Sequence, residues 1–161
     1  MSLEDLIKAE AVSLGFVLCG FGRADTPPNY NIYLDWLYHG NHAEMEYMAR
    51  PNAIEARYHP DNLLPDCRTV ISLAVPYPAP SNSVPLMPTQ GSVAAYALFP
   101  DYHTLLKERA ESLALKIAQL IDQPLRHLVC VDTMPILEKD YAQNSGLGWI
   151  AHNSCLTSET Y

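Results

Sequence analysis

Three short stretches of the chain are apolar at nearly every position: FVLCGF from Phe16 to Phe21, the Thr69 to Val75 part of RTVISLAVPY, and Leu128 to Val131 in RHLVCVD. They fall far short of the roughly 18 apolar residues a membrane span takes. Unbroken apolarity in so short a run marks a strand covered on both faces. Helical patterns lie between them. Leu3, Leu6, Ile7 and Val12 fall near one face of a helix that Gly15 ends, and Tyr30 to His39 and Ala43 to Ala49 read as two short helices parted at Gly40 and stopped before Pro51. Leu106, Ala110, Leu113 and Ile117 recur at spacings of three and four, with Asp101 as the N-cap of a long helix. Pro135 suits the first turn of a last helix, which Gly146 closes. Strands alternating with helices predict an α/β fold: a single domain over residues 1–161, with a mostly parallel sheet and flanking helices. SVAAYAL offers a weaker extended piece.

Charge and composition narrow the function classes. A net charge of -8 with only 10 Lys and Arg argues against a surface devoted to phosphate backbones. Cys19, Cys67, Cys130 and Cys155 form no C-x-x-C pair, so neither a zinc site nor a disulfide framework is indicated. MSLEDLIKAEAV carries acids where a secretory signal would carry bases, which predicts a cytoplasmic chain with no membrane partner. Five prolines between Pro76 and Pro88 predict a surface loop.

Asp132 stands out among polar residues. It directly follows the third apolar run, and in open α/β sheets ligands bind at the carboxyl ends of strands. By position alone it reads equally as a cap for the helix that follows. His103, in Asp101-Tyr102-His103 at the mouth of the long helix, is a second candidate, with an exposed first-turn histidine as its plain reading. His39 and His42 lie across a turn without the helical spacing of a metal pair, so no metal site is assigned. No glycine-rich nucleotide cradle and no nucleophile elbow is present.

Several motifs occur together and in order: LGFVLCGFGRAD, the W-L-x-x-G of Trp36 to Gly40, MEYMAR, ARYHPDNLLPDCRTVISLAVPYP, the DYH of Asp101 to His103, and VDTMPILEK followed by GLGWIAHN. Together they resemble the N-terminal domain of epoxyqueuosine reductase, a family related to reductive dehalogenases. The resemblance implies a cytoplasmic enzyme that reduces the epoxycyclopentane of a modified base in tRNA to an alkene, using cobalamin and two iron-sulfur clusters. This chain would be the cobalamin-holding lobe. Asp132 falls where the family has its proton-donating acid. Arg57, Ala94, Asn153 and Leu156 fall at cobalamin-contact positions beside Asp132, with Asp101 and His103 near the substrate.

An opening epoxide leaves an alkoxide oxygen, and a positioned acid lowers that barrier by supplying a proton. For Asp132 to donate, burial beneath the corrin has to outweigh the pull of a helix N-terminus toward the ionised form. The sequence also departs from the family pattern: Ala95 and Phe99 replace an arginine and a glycine, His152 replaces a lysine, and Ala43 replaces a glycine. The cluster-binding cysteines of the family's ferredoxin-like part, a partner this lobe needs, would begin just beyond Tyr161. The alternative is a non-catalytic relative that binds a corrinoid, or only keeps the fold.

Overall fold

The computed structural model describes residues 1–76, 91, 93, 97 and 100–159. Helix α1 (Leu3–Ser13) leads to strand β1 (Leu18–Arg23), then α2 (Tyr30–Tyr38), α3 (Glu46–Ala49) and α4 (Pro51–Tyr58). A 3-10 turn (Pro60–Asn62) precedes β2 (Thr69–Ala74), followed by α5 (Tyr102–Ile121), α6 (Glu138–Asn144), β3 (Trp149–Ile150) and β4 (Leu156–Thr157).

Local chemistry sets the boundaries. Ser2 and Asp5 form a capping box, each side chain accepting the other's backbone N–H, which closes the start of α1. Gly15 follows in the left-handed region at φ 87° and ends it. Asp101 Oδ1 accepts the His103 N–H at 2.9 Å and caps α5. Pro51, expected only to stop a helix, also opens the next one as its first residue.

β1 and β2 pair antiparallel, with Cys19 opposite Leu73, Gly20 opposite Ser72 and Phe21 opposite Ile71. The mostly parallel sheet expected from the sequence is therefore corrected: β1–β2 and β3–β4 are both antiparallel pairs. The third apolar run, Leu128 to Val131, is neither helix nor strand and belongs to no ladder among the described residues. The inference failed because a continuous apolar run reports cover on both faces, and an antiparallel pair can be covered twice as well. The SVAAYAL piece and the proline-rich loop lie almost wholly outside the described residues.

That double cover explains the residues of β1. One face carries Cys19, Phe21, Ile71 and Leu73, packed against Ile7, Ala11, Phe16, Leu113 and Ile117, a core that joins α1 to α5. A Lys116–Glu10 ion pair ties the same two helices at their rim. The opposite face carries Gly20, Gly22 and Ser72, and there the end of α6 lies directly on the strands. A Cβ on Gly20 would sit 2.2 Å from Leu147 Cδ1 and 2.3 Å from the Ser145 carbonyl oxygen. Ser72 and Ser145 hydroxyls hydrogen-bond at 3.2 Å across the contact.

Helix α6 is held at its other side by buried polar groups. Asp140, 6% exposed, accepts the backbone and side-chain N–H groups of Asn29 at 2.9 and 3.0 Å. Tyr141, 2% exposed, donates its hydroxyl to the Asp25 carbonyl at 2.8 Å, and burial raises the phenol's pKa strongly. Gly20→Ala is expected to lower stability by about 1–3 kcal/mol through overpacking. The check is a lower urea midpoint at unchanged slope; an unchanged midpoint would show that α6 is not seated on the strands as described.

Candidate functional site

The third apolar run ends at Asp132, whose backbone turns into the left-handed region at φ 55°. Bends over residues 132–136 separate it from α6, which begins at Glu138 rather than at Pro135, with Leu137 at the cap position. Asp132 therefore does not cap α6. Its carboxylate turns to the first residues of α5 instead. Tyr102 donates its hydroxyl to Asp132 Oδ2 at 3.0 Å, and His103 Nε2 stands 3.4 Å from the same oxygen. The other ring nitrogen, Nδ1, lies 2.7 Å from Asp101 Oδ1. The Tyr102 ring stacks on the imidazole with centroids 4.1 Å apart.

Asp101, His103 and Asp132, singled out separately in the sequence, thus form one chain of contacts. The Asp101 hydrogen bond is the main cause of a raised His103 pKa, opposed by desolvation and aided by Asp132. Asp101 is correspondingly held below the usual carboxylate range, first by the His103 side chain and then by its backbone N–H.

Sequence reasoning missed Glu138. Its Oε1 accepts the Asp132 backbone N–H at 2.8 Å, so α6 holds the peptide of the residue whose side chain α5 holds. Burial raises the Glu138 pKa; the Asp132 N–H and the charge of His103 pull the other way, and the charge of Asp132 adds to the rise. A glutamate in a first helical turn reads as ordinary complement to the helix dipole, so nothing in the sequence set it apart.

Behind Asp132 opens a cavity of about 840 Å³, within the range of small-molecule pockets. The inner face of β2 and the apolar side of α5 form its walls, and Tyr102, Asp132 and Glu138 stand on its lining with Leu156 of β4. Cys130 lines it too, its thiol pushed up to about 11 mainly by burial, which keeps it a neutral, weakly nucleophilic group. The Asp132 side chain is 67% exposed, so these residues do not bury it.

The remaining predicted contact residues are dispersed. Arg57 is buried outside this cavity lining: Nη1 donates to the Ala53 carbonyl at 3.1 Å, and the guanidinium lies 5.3 Å from the centre of the Tyr33 ring. Asn153 Oδ1 accepts the Cys155 N–H at 3.1 Å and serves its own turn. Ala94 lies outside the described residues. His39 bonds the Asp35 carbonyl through Nδ1 while the His42 ring lies against Trp36. Among the described residues no group of three His, Cys, Asp or Glu side chains could hold a metal ion. No helix among them is long and apolar enough to cross a membrane.

Residues 57–133 match the family described as epoxyqueuosine reductase QueG, DUF1730. The chain is 36% identical over 157 residues to the epoxyqueuosine reductase of Vibrio cholerae, covering 96% of this chain and 42% of that protein. To the Cellulophaga algicola protein of the same name it is 35% identical over 161 residues, covering 98% and 50%. Among solved structures, an epoxyqueuosine reductase from Streptococcus thermophilus superposes with a TM-score of 0.68 at 25% identity, covering 98% of this chain and 42% of that one. An epoxyqueuosine reductase crystallised with an epoxyqueuosine-modified tRNA stem loop superposes at 0.77 and 24% identity, covering 99% and 42%, and shares the fold. The chain is therefore similar, along nearly all of its own length but only about half or less of theirs, to proteins named epoxyqueuosine reductase.

Proposed function

We propose that this chain is the acid-bearing, cobalamin-holding portion of an epoxyqueuosine reductase that acts on tRNA in the cytoplasm. The observation that carries the reading is Asp132. It lies inside the family match, in a strained turn at the mouth of an apolar cavity, with its carboxylate held by two side chains of α5. The similarity to epoxyqueuosine reductases over nearly the whole chain supplies the reaction.

The described residues fit one wall of a corrinoid cleft. An apolar surface suits the face of a macrocycle, and Leu156 and Asp132 share it. Arg57 and Asn153 are occupied within the protein, so most polar contacts to the cofactor's periphery would come from the portion that faces this wall. Cobalamin, when bound, supplies the electrons that open the epoxide, drawn from iron-sulfur clusters carried outside this chain. The chain's own contribution is to place Asp132 beside the departing oxygen and to hold it there through Tyr102, His103 and Glu138. Dehydration of the Asp132 carboxyl has to come from the cofactor and the facing portion, because the chain leaves most of that side chain open. With a net charge of -8, the cations that meet the tRNA phosphates would also stand largely on that other portion.

The open carboxylate and the inward-turned Arg57 favour a second reading, a non-catalytic relative that keeps the fold. Titration of the purified chain with cob(II)alamin separates the two. The active reading expects changed absorption and paramagnetic resonance spectra, alone or after the remaining portion of the Vibrio cholerae relative is added. Unchanged spectra in both arms favour the non-catalytic reading. In the combined protein, Asp132→Asn is expected to retain the cofactor and lose about 10²–10⁴-fold in turnover, the usual worth of a positioned acid. Turnover equal to that of the unsubstituted protein would remove Asp132 from its assigned role.

A further inference from the structure

Resting on that reading, we propose that His103 is a positioning residue that recharges Asp132 with a proton during each turnover, passing it from Nε2 to Oδ2 while Asp101 holds the opposite side of the ring. The first support is stoichiometric. Converting an epoxide to an alkene removes the oxygen as water, which takes two electrons and two protons. The electrons come from the reductant named above; the protons must arrive at the departing oxygen. One carboxyl group carries one proton. Asp132 can protonate the alkoxide once, and a second delivery through it requires that it be reloaded while the site is occupied.

The second support is geometric. His103 spans two carboxylates, with Nδ1 2.7 Å from Asp101 Oδ1 and Nε2 3.4 Å from Asp132 Oδ2. A neutral imidazole has one donor nitrogen and one acceptor nitrogen, and the bond made by one nitrogen decides the role of the other. The short contact to Asp101 keeps the proton on Nδ1, so that Nε2 is the atom that gains and loses the mobile one. The longer contact is the one that has to make and break, and such bonds commonly tighten only when the substrate is in place. His103 is 35% exposed at its side chain, which leaves it a route to solvent for its own recharging.

The third support is electrostatic. With solvent present, a protonated His103 beside an ionised Asp132 is an ordinary ion pair. When the site is covered, two charges cost more to keep than two neutral groups, and moving the proton from Nε2 to Oδ2 converts the one into the other. The groups facing His103 are Asp101 at the cap of α5, the stacked Tyr102 on α5, Asp132 ahead of α6, and Glu138 on α6. Asp101, whose pKa the His103 contact lowers, holds the ring from its other side.

Two measurements test the assignment. In the 161-residue chain labelled with nitrogen-15 at histidine, His103 is expected to titrate above an ordinary exposed histidine and to carry its neutral-form proton on Nδ1. Asp101→Asn and Asp132→Asn should each lower that midpoint. A midpoint indifferent to Asp132→Asn, or a neutral-form proton on Nε2, would overturn the relay. In the chain combined with the remaining portion of the Vibrio cholerae relative, His103→Ala is expected to lower kcat by about 10²-fold at mildly alkaline pH with KM little changed. The loss should shrink as pH falls, and added imidazole should restore about tenfold. Unaltered kcat, or a loss that imidazole does not repair in a variant whose spectrum shows it folded, would overturn the relay while leaving the reductase reading in place. Absence of turnover by the unsubstituted combined protein would overturn the reductase reading itself, and with it the turnover that the relay serves.

Discussion

The seat of α6 on the glycine face of the β1–β2 pair governs where the chemistry of this chain can stand. Gly20 leaves no room for a side chain, because the Ser145 carbonyl and Leu147 already occupy the place where its Cβ would go. With the C-terminal end of the helix set there, and with Asp140 and Tyr141 bonded to the Asn29 and Asp25 backbone, its N-terminal residue Glu138 is brought beside the Asp132 turn. Glu138 then takes the Asp132 N–H and fixes the turn that carries the acid. A packing constraint on a small residue therefore reaches the site through one helix and one hydrogen bond.

The site is an arrangement of three carboxyl groups around one imidazole. Like charges so close would repel, and each group is accommodated differently. Asp101 is stabilised as an anion by His103, whereas desolvation pushes Glu138 toward its neutral form. Asp132 stands between the two, bonded to α5 by its side chain and to α6 by its backbone. Holding a residue at positive φ costs roughly 1 kcal/mol or more when it is not glycine. Aspartate tolerates that conformation better than most residues, and the Glu138 bond offsets part of the cost.

Much of this was legible in the chain itself. The end of α1 at Gly15, the Asp101 cap, the long α5 and the strands β1 and β2 follow from local rules that tertiary structure did not override. Strand direction was not legible, because Cys19 and Phe21 pack against one helical layer while Gly20 and Gly22 admit another, and the resulting unbroken apolar string looks the same in either pairing. Asp132 and His103 could be picked out by position, but their meeting depends on the start of α5 lying beside the end of the third apolar run, a contact about thirty residues apart in sequence. The surroundings of Arg57 were likewise not legible. The resemblance implies a cofactor contact there, and its guanidinium meets the Ala53 carbonyl, the Met48 sulfur and the Tyr33 ring, contacts set by tertiary structure.

The incomplete burial of Asp132 bears on how such a site is divided. In the proposed function, a carboxyl group sealed inside this chain would have no path to the departing oxygen of a large, charged substrate, and one left permanently in water would have no reason to stay protonated. Leaving it on the rim of an apolar wall resolves the conflict, because the same event that brings the substrate also removes the water. The chain spans only about two fifths to one half of the relatives it resembles, and the proposed function assigns the opposing wall to the part of those relatives that this chain does not match. In the proposed function the wall present here supplies the held acid, and in the proposed relay His103 refills it. Exclusion of solvent is the part that a single wall cannot supply.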